Sequence, residues 1–160
     1  MDLGAWVSLE PEVVHAMLAL GGVDNRTNHL DLGAGDGRFC TEAMVMGAKS
    51  SIGYELDPAI VAVAVAAGAN VQLRDVGTLT AADVRQVNLI TVWTTIEPVT
   101  TQLLGLLYER LRPGTRLVLL YDSRVQTRDG QRIEMGVPIH AWQPTEMQWV
   151  LGNKICLYVK

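Results

Sequence analysis

The spacing of apolar and polar positions along this chain changes period repeatedly. Val13, Val14, Met17 and Leu18 recur at helical spacing and Gly21-Gly22 follows, which predicts a helix over 8–20 that stops at the glycine pair. A short apolar strand is expected at 28–32. Phe39, Ala43, Met46 and Ala48 then form the apolar side of a second helix, and 51–54 reads as a second strand. Asp57-Pro58 has the form of a helix N-cap followed by proline at the first helical position. The apolar run 59–67 continues that helix as far as Gly68. A third strand is expected at about 70–74 and a short helix over 80–86. Leu89–Trp93 is almost continuously apolar, as a strand buried on both faces should be. A helix from Pro98 to about Leu111, a turn at Arg112-Pro113-Gly114-Thr115 and a strand at Arg116–Tyr121 follow. The polar segment 122–131, with Asp129-Gly130, is expected to be a loop. Near the end, Glu146–Val150 alternates, Gly152-Asn153 offers a turn, and Ile155-Cys156-Leu157-Tyr158-Val159 completes a hairpin signal.

Strands alternating with helices and closing in an antiparallel pair predict an α/β fold, a mostly parallel sheet with helices on both faces. The 160 residues fit one domain spanning 1–160, with 1–21 as an N-terminal capping helix. Apolar residues make up 49% of the chain, ample for a core. The net charge of -4 weighs against a duplex nucleic acid partner, which usually requires a basic face. No apolar run is long enough to span a bilayer, and the first residues carry acids rather than a basic leader. A cytoplasmic protein without a membrane or nucleic acid partner is therefore expected. Cys40 and Cys156 are far apart and His15, His29 and His140 are scattered. Free structural thiols and no metal site are expected.

The chemistry concentrates at Asp31-Leu32-Gly33-Ala34-Gly35-Asp36-Gly37-Arg38. Here an acid and alternate glycines join a strand to a helix. Glycine permits a sharp turn and close backbone approach to a ligand, and the helix N-terminus offers unpaired N–H groups. A dinucleotide loop reads G-x-G-x-x-G, whereas this one reads G-x-G-x-G. Ligands of open parallel sheets bind beyond the C-terminal strand ends. The strands here end near Asp31, Glu55, Asp75 and Trp93-Thr94.

The glycine loop resembles motif I of the class I S-adenosylmethionine (SAM) dependent methyltransferases. Ile52-Gly53-Tyr54-Glu55-Leu56-Asp57-Pro58 resembles their motif II. The resemblance implies the seven-stranded Rossmann-like methyltransferase sheet. It also implies SAM as cofactor, S-adenosylhomocysteine as product and no metal. The implied cofactor site comprises Asp31, Gly33, Ala34, Gly35, Asp36, Gly37, Glu55, Leu56, Asp75, Val76 and Trp93. In it Glu55 takes the ribose hydroxyls, Asp75 the adenine amino group, Leu56 and Val76 flank the ring, and Asp31 holds the loop and faces the cationic amino end. Methyl transfer demands alignment of the nucleophile with the S–CH3 bond. A lysine acceptor must also lose a proton, for which Glu97, Tyr121 and Asp122, with Glu10, are the candidate rim residues. Trp6, Trp93 and Trp142 are candidate pocket walls.

Trp6-Val7, Val13-Val14 and Met17-Leu18 are similar to the opening of a small family of protein-lysine methyltransferases that includes broad-specificity archaeal enzymes and mitochondrial relatives. Leu111-Arg112-Pro113-Gly114-Thr115-Arg116, Trp142-Gln143-Pro144 and Leu157-Tyr158-Val159 extend the similarity over nearly the whole chain. The chain departs from that family at Ser8-Leu9-Glu10, Thr94-Thr95-Ile96 and Leu119-Leu120-Tyr121, on the acceptor side. The resemblance implies methyl transfer to protein lysines. The alternatives are a small-molecule methyltransferase, a SAM-binding module or partner subunit without activity of its own, and, disfavoured by the loop spacing, an NAD-binding domain.

Overall fold

The computed structural model describes residues 8–93, 99–121 and 142–160, with the backbone alone at 99–101 and 121. Along the chain, α1 (Pro11–Leu20) precedes β1 (Asn28–Leu32), α2 (Arg38–Val45), β2 (Ser50–Glu55), α3 (Pro58–Ala66) and β3 (Val71–Leu73). Then come β4 (Leu89–Trp93), α4 (Val99–Arg110), β5 (Arg116–Tyr121), β6 (Glu146–Val150) and β7 (Asn153–Val159). The seven strands form one sheet in the order β3-β2-β1-β4-β5-β7-β6. The strands β1 to β5 pair in parallel, and β7 runs antiparallel between β5 and β6. The strand order reverses between β1 and β4, which makes the adjoining C-terminal edge the expected ligand crevice.

Alternation along the strands sorts side chains onto two faces. Leu30, Leu32, Ile90, Val92, Leu117 and Leu119 pack on the side of α4, joined by Leu103, Leu104 and Leu107. Leu89, Val118, Leu120 and Ile155 pack on the opposite side, under Val13, Val14, Met17 and Leu18 of α1 and Phe39 and Ala43 of α2. Trp142, a candidate pocket wall, is instead core on the α4 side. It is 3% exposed, its ring lies 5.5 Å from both Tyr108 and Tyr158, and its indole N–H donates to the Val159 carbonyl.

Three local expectations shift. The first helix starts at Pro11 rather than at 8, because proline takes the first helical position and Glu10, just before it, is extended. The span 80–86 is a series of turns, and the short helical turn lies earlier, at Val76–Thr78. Asp83 accepts hydrogen bonds from the Thr80 N–H and hydroxyl and pairs with Arg74 at 2.6 Å. These side-chain bonds compete with a continuing helix. The hairpin turns at Leu151-Gly152, both with positive φ, and Asn153 already belongs to β7. The loop expected at 122–131 lies outside the described residues.

Gly53 sits in mid-strand where a Cβ would meet the Ala34 Cβ at 2.4 Å and Cys40 Sγ at 3.0 Å. Gly53→Ala should therefore cost about 1–3 kcal/mol by overpacking. A denaturant midpoint unchanged by that substitution would contradict the close approach of loop and strand.

Candidate functional site

The loop between β1 and α2 is shaped by three glycines in the left-handed region, Gly33 (φ 76°), Gly35 (φ 55°) and Gly37 (φ 80°). Side chains rarely adopt that conformation. At Gly37 a Cβ would also strike the Ala69 Cβ at 2.4 Å. The second strand holds the loop in place. The Gly33 and Ala34 N–H groups both donate to the Tyr54 carbonyl, and the Gly35 N–H donates to Glu55 Oε2 at 2.9 Å. Glu55 Oε1 accepts from the Leu56 and Asp57 N–H groups. A carboxylate offers about four lone-pair sites. Glu55 is thus fixed across from the loop with capacity left for a further donor.

Asp36 is paired within the loop. Its carboxylate is gripped by Arg38 Nε at 2.9 Å and by Nη2 at 2.5 Å. Hydrogen bonding to Arg38 holds its pKa below the usual range. The same guanidinium donates to the Leu9 carbonyl and so ties the chain before α1 to the loop.

Asp31 lies beneath the loop, 3% exposed, and its carboxyl is hydrogen-bonded to the Thr91 hydroxyl at 2.5 Å. Burial pushes its pKa up to about 7, with the negative charges of Glu55 and Asp36 adding to the shift against the Thr91 bond. Thr91 also contacts His29 Nε2 at 2.8 Å, and His29 Nδ1 meets Ser51 Oγ at 2.7 Å. Burial drives the His29 pKa down to about 3, so the imidazole is neutral. Sequence reasoning missed His29, Ser51 and Thr91. Their signal was polar residues recurring on one face of otherwise apolar strands.

The remaining candidates separate. Asp75 caps the Val76–Thr78 turn by accepting from the Gly77 N–H at 2.7 Å. Val76 is buried and Leu56 is 44% exposed. Trp93 ends β4 partly buried, and its indole N–H is buried without a hydrogen-bond partner among the described residues. Tyr121 ends β5. Glu10 is exposed before α1. Glu97, Asp122 and Trp6 lie outside the described residues. Cys40 and Cys156 are free and buried. Among the described residues no group of three His, Cys, Asp or Glu could hold a metal ion, and no helix is long and apolar enough to cross a membrane.

The sheet order and the glycine loop together define the Rossmann-like fold of SAM-dependent methyltransferases, and solved structures share it. An RNA methyltransferase from Salinibacter ruber in complex with S-adenosyl-L-homocysteine is 25% identical, with a TM-score of 0.74 over 96% of this chain and 93% of that one. A SAM-dependent methyltransferase from Mesorhizobium loti is 15% identical, with a TM-score of 0.65 over 91% of this chain and 96% of that one. The B. subtilis M1A22 tRNA methyltransferase is 12% identical, with a TM-score of 0.64 over 95% of this chain and 66% of that one. No protein-family model and no curated protein sequence matches the chain.

An acid whose pKa is raised by folding stabilises the fold at low pH and loses that contribution as pH rises through its folded value. For Asp31 that window runs from 3.8 to about 7. Asp31→Asn keeps an acceptor for Thr91 and cannot ionise. The melting temperature of the Asn variant relative to the parent should therefore climb by several degrees between pH 5 and pH 8. For a chain this size about 1 kcal/mol moves the midpoint by roughly 2–4 °C. A difference that is flat with pH would mean that Asp31 does not titrate in this window.

Proposed function

We propose that this chain is a SAM-dependent methyltransferase whose cofactor lies across the C-terminal ends of β1, β2 and β4. The observation that carries the reading is the loop–Glu55 clasp directly above the buried Asp31. A backbone cradle open to close approach, a fixed acceptor for a diol and a carboxyl suited to a cation match the three parts of that cofactor. The orphaned Trp93 N–H at the same strand edge also fits a polar ligand there. When bound, SAM supplies an electrophilic methyl group on its sulfonium.

In this reading Glu55 engages the ribose diol through its remaining acceptor site and Asp31 receives the ammonium. The backbone of Gly33, Ala34, Gly35 and Gly37 lies along the amino-acid portion, and Asp36 keeps the loop in shape through Arg38. Leu56 and Val76 flank the adenine, and Asp75 stands at its amino edge. Trp93 walls the crevice. Glu97, Tyr121 and Asp122 are proposed at the acceptor rim, where one of them would take the proton from an incoming amine.

Two acceptor classes have support. Protein lysine is favoured by the motifs shared with the small lysine methyltransferases, which run from the opening to the final strand. RNA is favoured by the Salinibacter RNA methyltransferase, 25% identical over nearly the whole of both chains. The net charge of -4 weighs toward the protein acceptor. We take protein lysine as the leading acceptor.

Incubation of the purified chain with methyl-labelled SAM and a methyl-free cytosolic extract, fractionated into protein, RNA and small molecules, tests both levels. Label on lysine is the expected result. Label in RNA would replace the acceptor, and tight binding with no transfer would reduce the chain to a SAM-binding module or partner subunit. Glu55→Gln should weaken S-adenosylhomocysteine binding about 10–100-fold, as loss of a hydrogen bond to a charged acceptor does. Calorimetry showing unchanged affinity would remove Glu55 from the site.

A further inference from the structure

On the sheet face under α1 and α2, four buried polar side chains form one strip. Ser51, His29, Thr91 and Asp31 touch in series at 2.7, 2.8 and 2.5 Å, and none is more than 5% exposed. The register explains the series. His29 lies opposite Ser51 across β1–β2, and Asp31 opposite Thr91 across β1–β4. Apolar residues of similar size would often hold a fold at least as well as such a buried polar group. A hydroxyl both donates and accepts, and a neutral imidazole does one of each at its two nitrogens. This chain of contacts therefore has two self-consistent orders. In one, a neutral Asp31 carboxyl donates to Thr91 Oγ1, the Thr91 hydroxyl donates to His29 Nε2, and His29 Nδ1–H donates to Ser51 Oγ. In the other, Ser51 donates to Nδ1, Nε2–H donates to Thr91 Oγ1, and Thr91 donates to the Asp31 carboxylate.

We propose that Ser51, His29 and Thr91 are positioning residues that couple capture of the cofactor's ammonium by Asp31 to reversal of this hydrogen-bond chain. Binding moves the imidazole proton of His29 from Nδ1 to Nε2 and releases one proton from the network to solvent. No other bond changes. This rests on the cofactor site proposed above. The ammonium favours the ionised carboxylate, and the second order aims the Thr91 hydroxyl at that charge.

The surroundings support both orders being within reach. The charged groups acting on Asp31 are Glu55 at the end of β2 and Asp36 in the loop before α2, both anionic, with Asp36 paired to Arg38. On α2 the Cys40 thiol, next to Ser51, is kept protonated by burial. From α1, His15 pairs with Glu42 of α2 on the exposed outer side. With a folded value of about 7, Asp31 exchanges its proton near neutrality, whereas His29, at about 3, changes tautomer rather than charge.

The test uses the full chain with nitrogen-15 histidine, in which the ring shifts report each tautomer. S-adenosylhomocysteine carries the ammonium, and 5′-methylthioadenosine shares the nucleoside but lacks the amino-acid end. At pH 6 the ligand-free protein should show His29 protonated on Nδ1. S-adenosylhomocysteine should move the proton to Nε2, and methylthioadenosine should bind without moving it. S-adenosylhomocysteine affinity should weaken roughly tenfold per pH unit below about 7, while methylthioadenosine affinity stays flat. Thr91→Val, close in shape, should abolish the tautomer response and Thr91→Ser restore it. Binding of S-adenosylhomocysteine with an unmoved His29 tautomer, or an intact response in Thr91→Val, would overturn the coupling and leave the cofactor site standing. Failure of S-adenosylhomocysteine to bind at any pH would overturn both.

Discussion

The clasp of the glycine loop on β2 is the contact on which the rest of the site depends. Three backbone N–H groups of the loop end on Tyr54 and Glu55, and Ala34 fits the space left by the missing side chain of Gly53. A loop built from residues in the left-handed region has little reason to keep one shape without such anchors. Once anchored, it carries the start of α2 with it. The strand supplies the rigidity that a loop of alternate glycines lacks.

The two faces of the sheet have different tasks. On the α4 side the core is apolar and includes the Tyr108–Trp142–Tyr158 aromatic contacts. On the other side the polar strip of His29, Asp31, Ser51 and Thr91 interrupts the core. Helices α1 and α2 pack on that face, and Arg38 links the residue before α1 to the loop. Arg38 therefore bonds the chain before α1 to the loop, while Asp31 is bonded to Thr91 of β4.

Much of this was legible in the sequence. The five parallel strands, the Asp57-Pro58 helix start and the terminal hairpin followed from apolar period and turn chemistry. Asp57 does cap α3, accepting from the Ala59 and Ile60 N–H groups. Periodicity failed where side chains compete with the backbone for hydrogen bonds. Thr80 and Asp83 turn a helical-looking stretch into successive turns. It failed again where a residue type has two common fates, so that Trp142 became core and not a pocket wall. The glycine loop and Glu55 were legible because each lies in its own short local pattern, although the bond between them spans twenty residues. The His29–Thr91 contact joins residues sixty-two apart. No local spacing reveals it, because the parallel register that creates it exists only once the sheet is assembled.

The charge of the site also bears on what it accepts. Asp31, Asp36 and Glu55 gather around one loop, and Arg38, committed to Asp36, is the cation bonded to this trio among the described residues. A pyrophosphate would add negative charge beside two uncompensated acids, and the glycine spacing lacks the extra residue of a dinucleotide loop. A ligand with an ammonium and a ribose diol reverses that balance. Such a ligand would bring a positive charge to Asp31 and hydrogen-bond donors to Glu55. The raised pKa of Asp31 points the same way: burial disfavours its charged form, which a nearby cation would favour.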